Sequence, residues 1–266
     1  MRKISSGIFI DVSKQRRKWT ITFNQPHRKN VISLGFLEEL HEVLDDLEND
    51  CSCRLVVFQG RDGYFCTGMD FDAATDEGRI ESEKNIQNAS YMHLLKRISE
   101  CPKVTLAKVS GKVMAGGIGI VTASDLVVAS PDSEFSLPEA LWGLLPACVT
   151  PFLIRRIGVH QAYRMVLTTE TLCAEEAKRI NLVDSLHKKP DEVIRQYFMR
   201  VERLTDKTTR ELKSYFRKMW IFDDTMEKTA VDEINRLIND PVVQENIRNY
   251  AEHRQFPWDK DRERKW

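Results

Sequence analysis

Residues in one stretch of the chain have the types and spacing needed for acyl chemistry. The pair Gly116-Gly117 joins two apolar runs, and Glu139 stands in an apolar segment with Trp142. Glycines let a ligand approach the backbone, and free N–H groups at a helix start favour a developing negative charge. Apolar surroundings raise the pKa of a carboxyl group toward neutrality. The stretch therefore predicts an oxyanion-binding turn and a general acid or base in one site.

Each pattern also has an ordinary structural interpretation. A Gly-Gly pair before an apolar run is commonly only a turn from a strand into a helix. A single Glu in a segment rich in Leu and Trp is commonly a cap at a helix start or an ion-pair partner. The chemical interpretation rests on the ordered combination of the two patterns.

The elements that would position these residues follow from hydrophobic periodicity. Apolar runs at Val104–Val109 and Leu126–Ala129 predict strands on either side of a small-residue helix that starts at the glycine pair. Leu55–Phe58 is a short continuous apolar run, typical of a strand buried on both faces. Ser33–Leu47 has leucines at helical spacing with its first residue as a candidate cap, and Asn85–Glu100 is amphipathic. This alternation of strands and helices predicts an α/β fold.

The two ends of the chain differ in character. Ile8–Val12 and Lys18–Phe23 alternate and are β-branched, which predicts paired strands. After about residue 150 helical patterns dominate. The predicted helices are Val149–Arg156, His160–Leu167, Ala174–Ile180, Asp191–Leu204, Thr209–Trp220 and Asp223–Asn239.

Composition excludes several classes of protein. The 266 residues fit one large domain or a domain with an appendage, and 42% hydrophobic content is ample for a core. Lys plus Arg and Asp plus Glu balance at 40 each, so net charge supports neither a nucleic-acid nor a membrane partner. No stretch reaches the ~18 apolar residues of a membrane span, and no secretory signal is visible. We expect a cytoplasmic protein.

The six cysteines lack the spacing of a metal site. Reduced, structural thiols are expected of a protein in that compartment. Cys148 lies near the predicted site in sequence and is a candidate for its lining.

Several motifs together resemble the crotonase (enoyl-CoA hydratase/isomerase) superfamily. They are YFCTGMDF (Tyr64–Phe71), MAGGIGI (Met114–Ile120), SDLVVAS (Ser124–Ser130), EFSLPEALWGLLP (Glu134–Pro146), PFLIRRIG (Pro151–Gly158) and MVLTTETLCAEEAKRINLVDSL (Met165–Leu186). The resemblance runs from about Ile8 to about Asn239. It implies an α/β, crotonase-type spiral of ββα units over residues 1–200. It also implies a C-terminal helical region, residues 201–266, used in assembling a homotrimer or a dimer of trimers.

The resemblance also implies roles for individual residues. In the family two backbone N–H groups hold a thioester carbonyl, and the matching positions are Met69 and Gly116. Of the two glutamates that hydratases of the family use, one matches Glu139 and the other falls at Gly119. This departure leaves one general acid/base, which is sufficient for proton transfer at the α-carbon or for a syn elimination. The expected pocket lining is Gly117, Gly119, Trp142 and Cys148.

A finer resemblance concerns the dehydratases of polyketide β-branching cassettes. It rests on SLPEALWGLLPACVTPFLIRRIG, on Gly119 and on the tail RQFPWD (Arg254–Asp259). Those enzymes remove water from a 3-hydroxy-3-methylglutaryl group on an acyl carrier protein. The resemblance implies an acyl thioester substrate carried on the phosphopantetheine of a carrier protein or of CoA, an acyl carrier protein as partner, and no metal or redox cofactor.

The distal carboxylate of such a substrate needs a cation or several hydrogen-bond donors. Candidates on the helix before Pro102 are Tyr91, His93, Lys96 and Arg97, although these residues could equally form a solvated helix face. Two basic segments, His27-Arg28-Lys29 and Lys14–Lys18, are candidates for contact with an acidic carrier protein or are simply solvated surface.

Two alternatives remain open from the sequence. One is another reaction of the superfamily, such as decarboxylation, double-bond isomerisation or dehalogenation, and in a decarboxylation Glu139 would be dispensable. The other is a catalytically silent scaffold, which the glycine at position 119 would also allow.

Overall fold

Two β-sheets organise the part of the chain that the computed structural model describes, residues 2–70, 81–220 and 224–259. Phe71, the last residue of the YFCTGMDF motif, lies outside it. The larger sheet contains, in spatial order, β1 (Arg2–Ser6), β2 (Ile10–Gln15), β3 (Lys18–Phe23), β4 (Leu55–Gln59), β6 (Val104–Val109), β8 (Leu126–Ala129) and β11 (Ser185–Leu186). Strands β1 to β3 pair antiparallel, and the later neighbours pair parallel.

The smaller sheet has four strands among the described residues. They are β5 (Tyr64–Cys66), β7 (Lys112–Met114), β9 (Glu134–Ser136) and β10 (Leu172–Cys173), in the spatial order β10-β9-β7-β5. Strands β5, β7 and β9 run parallel, and β10 is antiparallel to β9.

Helices connect the two sheets in a repeating order. Unit one is β4, β5 and α2 (Glu81–Glu100), and unit two is β6, β7 and α3 (Gly116–Ala123). Unit three is β8, β9, the 3-10 helix Glu139–Trp142 and α4 (Thr150–Ile157). Each unit places one strand in each sheet before its helix. The expected spiral of ββα units is therefore confirmed.

Helix α1 (Leu34–Asn49) shows how the sequence pattern becomes packing. The hydroxyl oxygen of Ser33 accepts a hydrogen bond from the N–H of Phe36 at 3.2 Å, so the predicted cap is present. The predicted leucines are fully buried in the core: Leu37, Leu40, Leu44 and Leu47. Burying side chains of this size stabilises the fold by about 2 kcal/mol each.

The later part of the chain is mostly helical, as predicted. The remaining helices of the described residues are α5 (Val159–Thr168), α6 (Ala174–Arg179), α7 (Pro190–Val201), α8 (Asp206–Met219), α9 (Asp224–Ile238) and α10 (Pro241–His253). Helix α10 is not among the predicted helices. Its N-cap is Asp240, whose carboxylate accepts hydrogen bonds from the N–H groups of Val242 and Val243.

The C-terminal helices pack on their own chain. Helix α9 contacts α2 through a 2.8 Å hydrogen bond from Asn88 to Asn235 and an ion pair between Lys96 and Glu227. The role of residues 201–266 in trimer assembly stays a prediction. Within the described ranges no helix combines the length and the apolar character that crossing a membrane requires.

An ion cluster joins α8 to the larger sheet. The carboxylate of Asp206 accepts hydrogen bonds from Arg54 at 2.7 Å and from Lys103 at 2.5 Å. Arg54 precedes β4 and Lys103 precedes β6, and the Lys103 side chain is almost completely buried. Asp206 therefore compensates a positive charge inside the protein.

Candidate active site

The three parallel strands of the smaller sheet bring the predicted site residues together. Met69 lies three residues after β5, Gly116 two residues after β7, and Glu139 three residues after β9. Because these strands are adjacent and parallel, their carboxyl ends meet at one edge of the sheet. Each ββα unit thus supplies one group to the same place.

The segment after β5, which contains Met69, and the segment after β7, which contains Gly116, approach one another closely. Gly68 has φ of +86°, and a Cβ added to it would lie 2.9 Å from the nitrogen of Gly116 and 2.6 Å from the Cβ of Ala115. A side chain at position 68 would therefore separate the two segments, so glycine is required by both conformation and space.

Hydrogen bonds to Ile32 fix the direction of the Met69 backbone. The N–H of Ile32 donates to the carbonyl of Gly68 at 2.8 Å, and the N–H of Asp70 donates to the carbonyl of Ile32 at 3.3 Å. Because N–H groups of an extended chain alternate in direction, that of Met69 points away from Ile32. The amide of Gln87 supports this segment by donating to the Ile32 carbonyl at 3.1 Å.

Gly116 opens helix α3, where the first N–H groups have no partner within the helix. Ala115, the residue before it, has φ of +48°. In the described part of the chain, the N–H groups of Met69 and Gly116 donate to no backbone carbonyl in a turn, loop or cap. Two unused backbone donors on adjoining segments are the arrangement that binds an oxyanion.

Glu139 is a buried carboxylate at the start of a 3-10 helix. One of its oxygens, Oε2, has no hydrogen-bond partner among the described residues. Burial raises the pKa of the Glu139 carboxyl to about 7, against a smaller opposite effect from its own backbone N–H. At neutral pH this group is therefore present in both protonation states, as an acid/base catalyst requires.

A cavity of about 540 Å³ connects these groups. Met69, Gly116 and Glu139 line it, and so do Trp142 and Cys148. Burial raises the pKa of the Cys148 thiol to about 12, so the thiol is protonated at neutral pH and contributes an apolar wall.

Gly117 and Gly119 do not line the cavity, contrary to expectation. Both are buried in α3 behind it. A Cβ at Gly117 would overlap the carbonyl of Cys66. A Cβ at Gly119 would overlap the hydroxyl oxygen of Tyr91 and lie 3.1 Å from its Cζ. These glycines permit close packing and do not expose backbone to a ligand.

Of the four candidates for the distal carboxylate, only Tyr91 lines the cavity. Its hydroxyl already donates to the carbonyl of Gly116 at 2.5 Å, which uses the one proton that a hydroxyl can donate. The sequence could not reveal this contact, because it joins residues 25 positions apart on different helices.

The other three candidates lie on other faces of α2, because residues two, five and six positions from Tyr91 are rotated away from it. His93 is exposed and stacks on His41, Lys96 pairs with Glu227, and Arg97 pairs with Asp45 and Glu48. His93 and Arg97 line a separate, larger cavity of about 1090 Å³, which includes none of the three converging groups. These three residues therefore do not line the cavity that Met69, Gly116 and Glu139 share.

Basic residues line the cavity at other positions. His27, Arg28 and Lys29 belong to its lining, as do Lys112 and Arg254. The Lys14–Lys18 segment does not: Lys14 pairs with Asp50 and lies over the ring of Trp19.

The C-terminal segment builds one wall of the cavity. The ring of Tyr250 contacts Trp142 at 5.6 Å between centroids, and Phe256 packs on Tyr250 at 5.0 Å. The guanidinium of Arg254 lies 5.4 Å from the centre of the Tyr250 ring. The RQFPWD tail had suggested only a resemblance, but it contributes a cation to the cavity.

The geometry agrees with what comparisons with known proteins find. The model of the enoyl-CoA hydratase/isomerase family matches residues 16–262. The chain belongs to this family. The named relatives are dehydratases and enoyl-CoA hydratases, which are hydro-lyases, so the expected enzyme class is confirmed.

Individual relatives cover almost the whole chain. The bacillaene synthase dehydratase PksH of Bacillus subtilis is 34% identical over 250 residues, which are 94% of this chain and 96% of PksH. The crystal structure of PksH superposes with a TM-score of 0.87 over 95% of this chain and 100% of that one. An enoyl-CoA hydratase from Mycobacterium avium is 28% identical and superposes with a TM-score of 0.82 over 95% and 100% of the two chains. Similarity to a dehydratase of polyketide biosynthesis, and the crotonase fold itself, are thereby confirmed.

Proposed function

We propose that this enzyme removes water from a 3-hydroxy-3-methylglutaryl thioester on an acyl carrier protein, giving the 3-methylglutaconyl thioester for polyketide β-branching. The observation that carries the proposal is the buried carboxylate of Glu139, whose pKa is raised to about 7 in a cavity that two unused backbone donors also line. The likeness to the dehydratase PksH supports the reaction class.

The oxyanion donors start the reaction. The N–H groups of Met69 and Gly116 donate to the thioester carbonyl and stabilise the negative charge that develops when the α-proton leaves. Loss of one such donor costs about 3 kcal/mol of transition-state stabilisation in comparable sites.

Glu139 then serves both ends of a syn elimination. Its carboxylate removes the proton from the α-carbon, and the electron pair of that C–H bond forms the new double bond to the β-carbon. The bond from the β-carbon to its hydroxyl breaks, and the departing oxygen takes the proton from Glu139 to leave as water. The carboxylate is regenerated, so no further acid, base or redox partner is needed.

We further propose that Arg254 pairs with the distal carboxylate of the substrate. Among the described cations of the cavity lining, it is the one on the aromatic wall that Trp142 and Tyr250 form next to Glu139. A carboxylate in this partly apolar wall requires a cation, because an unpaired buried charge is costly.

A second basic part of the lining suits the carrier arm. His27, Arg28 and Lys29 are exposed and lie with Met69 along its lining. The charges of Lys29 and of Arg28, which also pairs with Asp70, would attract the phosphate of a phosphopantetheine arm and an acidic carrier surface. We propose this arm as the only prosthetic group involved, and it belongs to the carrier protein or to CoA.

We propose a homotrimer, or a dimer of trimers, as the assembled form. Helix α5 exposes Val159, Tyr163 and Leu167 at a spacing of four residues, so they form one apolar stripe. Exposed apolar stripes of this kind mark protein interfaces. Light scattering after size-exclusion chromatography measures the assembly, and replacing Tyr163 with Glu is expected to yield monomers.

Intact-protein mass spectrometry tests the reaction. A carrier protein loaded with the 3-hydroxy-3-methylglutaryl group should lose the mass of one water with the wild-type enzyme and none with Glu139→Gln. Glu170→Gln, a change at an exposed residue away from the cavity, is the matched control. Loss of carbon dioxide would replace the proposal with a decarboxylase, and no reaction on either carrier or CoA thioesters would favour a silent scaffold.

A further inference from the structure

The hydroxyl of Tyr91 occupies the space that a side chain at position 119 would need. A Cβ on Gly119 would overlap the Tyr91 hydroxyl oxygen and approach Leu95 Cδ1 at 3.0 Å. Tyr91 is 3% exposed, so its ring is held within the core and cannot simply swing into solvent. Glycine at position 119 and tyrosine at position 91 are therefore one structural unit.

This unit is connected to the proposed oxyanion hole. The Tyr91 hydroxyl donates to the carbonyl of Gly116 at 2.5 Å, in the first turn of α3. The N–H of the same residue is one of the two unused donors. A bond to the carbonyl restrains rotation of the residue that presents the N–H, where Ala115 before it already has φ of +48°.

Tyr91 itself remains a neutral group. Burial raises the pKa of its hydroxyl well above the ordinary value, and the nearby thiols of Cys148 and Cys66 and the carboxylate of Glu139 act in the same direction. The hydroxyl therefore keeps its proton, and with it the bond to Gly116, throughout the neutral range.

We propose that Tyr91 is a positioning residue that fills the space left by Gly119 and holds Gly116 with its N–H directed at the thioester carbonyl. The inference rests on the proposed function in one respect: it takes the bound carbonyl to be that of a thioester substrate. The positioning role predicts that Tyr91 and Gly119 act through the same hydrogen bond, the one from the Tyr91 hydroxyl to the Gly116 carbonyl. Removing the hydroxyl and displacing it with a side chain at position 119 should therefore have the same effect.

A double-mutant cycle tests this dependence. Tyr91→Phe removes the hydroxyl and keeps the ring, and Gly119→Ala displaces the hydroxyl from Gly116. We expect each change to lower kcat about tenfold with little change in KM, because transition-state positioning is lost, which is less than the ~10²–10³ lost with an oxyanion donor itself. The double variant should be about as fast as Tyr91→Phe alone, because removing the hydroxyl removes the one severe overlap, at 2.0 Å. The remaining neighbours of the added methyl group, Leu95 Cδ1 at 3.0 Å and the ring Cζ at 3.1 Å, need to shift by only a few tenths of an ångström.

Infrared spectroscopy measures the carbonyl stretching frequency of a bound thioester. This frequency would not change in Tyr91→Phe if Tyr91 only stabilised the fold. The probe is the 3-methylglutaryl pantetheine thioester with a ¹³C-labelled carbonyl, which lacks the hydroxyl that dehydration removes. Binding to the wild-type protein should lower the carbonyl stretching frequency, and Tyr91→Phe should return it toward the free value. Tyr197→Phe is the matched control, because it removes a hydroxyl bonded to Ser185 in a different part of the protein.

The outcomes separate the two proposals. Unchanged kcat and carbonyl frequency in Tyr91→Phe, multiplicative losses in the double variant, or an equal loss in Tyr197→Phe would each overturn the positioning role. A wild-type protein that shifts the carbonyl frequency through Tyr91 but dehydrates nothing would overturn the dehydratase proposal alone.

Discussion

Glu139 is a buried carboxyl group whose surroundings make it useful at neutral pH. Burial without a full set of hydrogen bonds raises its pKa to about 7, and the same burial places it on the cavity wall. The base in the proposed reaction is the ionised form, so activity depends on how much of the free enzyme carries the carboxylate.

We therefore expect kcat/KM to fall as the pH decreases through about 7, and to be level above it on the alkaline side. Initial rates with a loaded carrier protein across the neutral range measure this profile. Glu139→Asp should keep a titrating limb at a lower rate, because it keeps a carboxyl group in the wrong position. A wild-type profile that stays level well below neutral pH would show that Glu139 is not the base.

Arg254 determines substrate charge preference if it pairs with the distal carboxylate. Arg254→Ala should raise KM for the 3-hydroxy-3-methylglutaryl thioester by up to about fivefold, which corresponds to the roughly 1 kcal/mol that an exposed ion pair contributes at most. It should leave KM unchanged for a neutral 3-hydroxyacyl thioester of similar length. Arg254→Lys keeps the charge and should recover part of the loss, whereas equal effects on both substrates would place Arg254 elsewhere in the binding process.

At the scale of elements, ion pairs of different burial should differ sharply in their effect on stability. Asp206→Ala should lower the free energy of unfolding by about 3–5 kcal/mol, because it leaves the buried Lys103 ammonium without its carboxylate. Asp191→Ala, which removes the exposed partner of Lys108, should cost less than about 1 kcal/mol. Urea unfolding of the two variants measures both values. Similar losses of unfolding free energy in the two variants would mean that the ion pairs of Asp206 do not stabilise the contact of α8 with the larger sheet.

Elements defined by local pattern could be predicted from the sequence. The leucine spacing of α1, the apolar runs of β4, β6 and β8, and the glycine start of α3 each depend on residues close together in the chain. Helix α10 was missed although Asp240-Pro241 is a usable start signal, because the apolar residues that follow it are few.

The interior of the site could be predicted only in part. Glu139, Met69 and Gly116 were identified through motifs of the family, and the structure places each of them two or three residues after a strand of the smaller sheet. The contact of Tyr91 with Gly116 and Gly119, and the position of Arg254, depend on how distant helices pack. Residue type alone made His93, Lys96 and Arg97 candidates for the site, and the structure places them on other faces of α2, away from the cavity lining.

At the scale of the whole molecule, the spiral explains why one site collects groups from three units. Both sheets contribute to one hydrophobic core, and the smaller sheet ends its parallel strands at one edge. Glu139, at the start of the 3-10 helix after β9, is buried. Burying the ionised carboxylate costs free energy, and unfolding removes that cost because it returns the carboxyl group to water. The burial of Glu139 therefore affects the stability of the whole protein.

The stability of the protein should therefore depend on pH through Glu139. Its pKa is about 7 in the folded state, against an ordinary value of 4.5, so between these values the folded state binds more protons than the unfolded state. The free energy of unfolding should fall as the pH rises through this window, by up to about 3 kcal/mol. Glu139→Gln has no proton to lose, so its stability relative to the wild type should increase from pH 4.5 to about pH 7 and then stay constant. Urea unfolding of both proteins across this range measures the difference, in which the other titrating groups cancel, and Glu170→Gln should show no such trend. A difference that does not vary with pH would mean that the Glu139 carboxyl group is solvated in the folded protein, which would remove the physical basis of its role as an acid/base group at neutral pH.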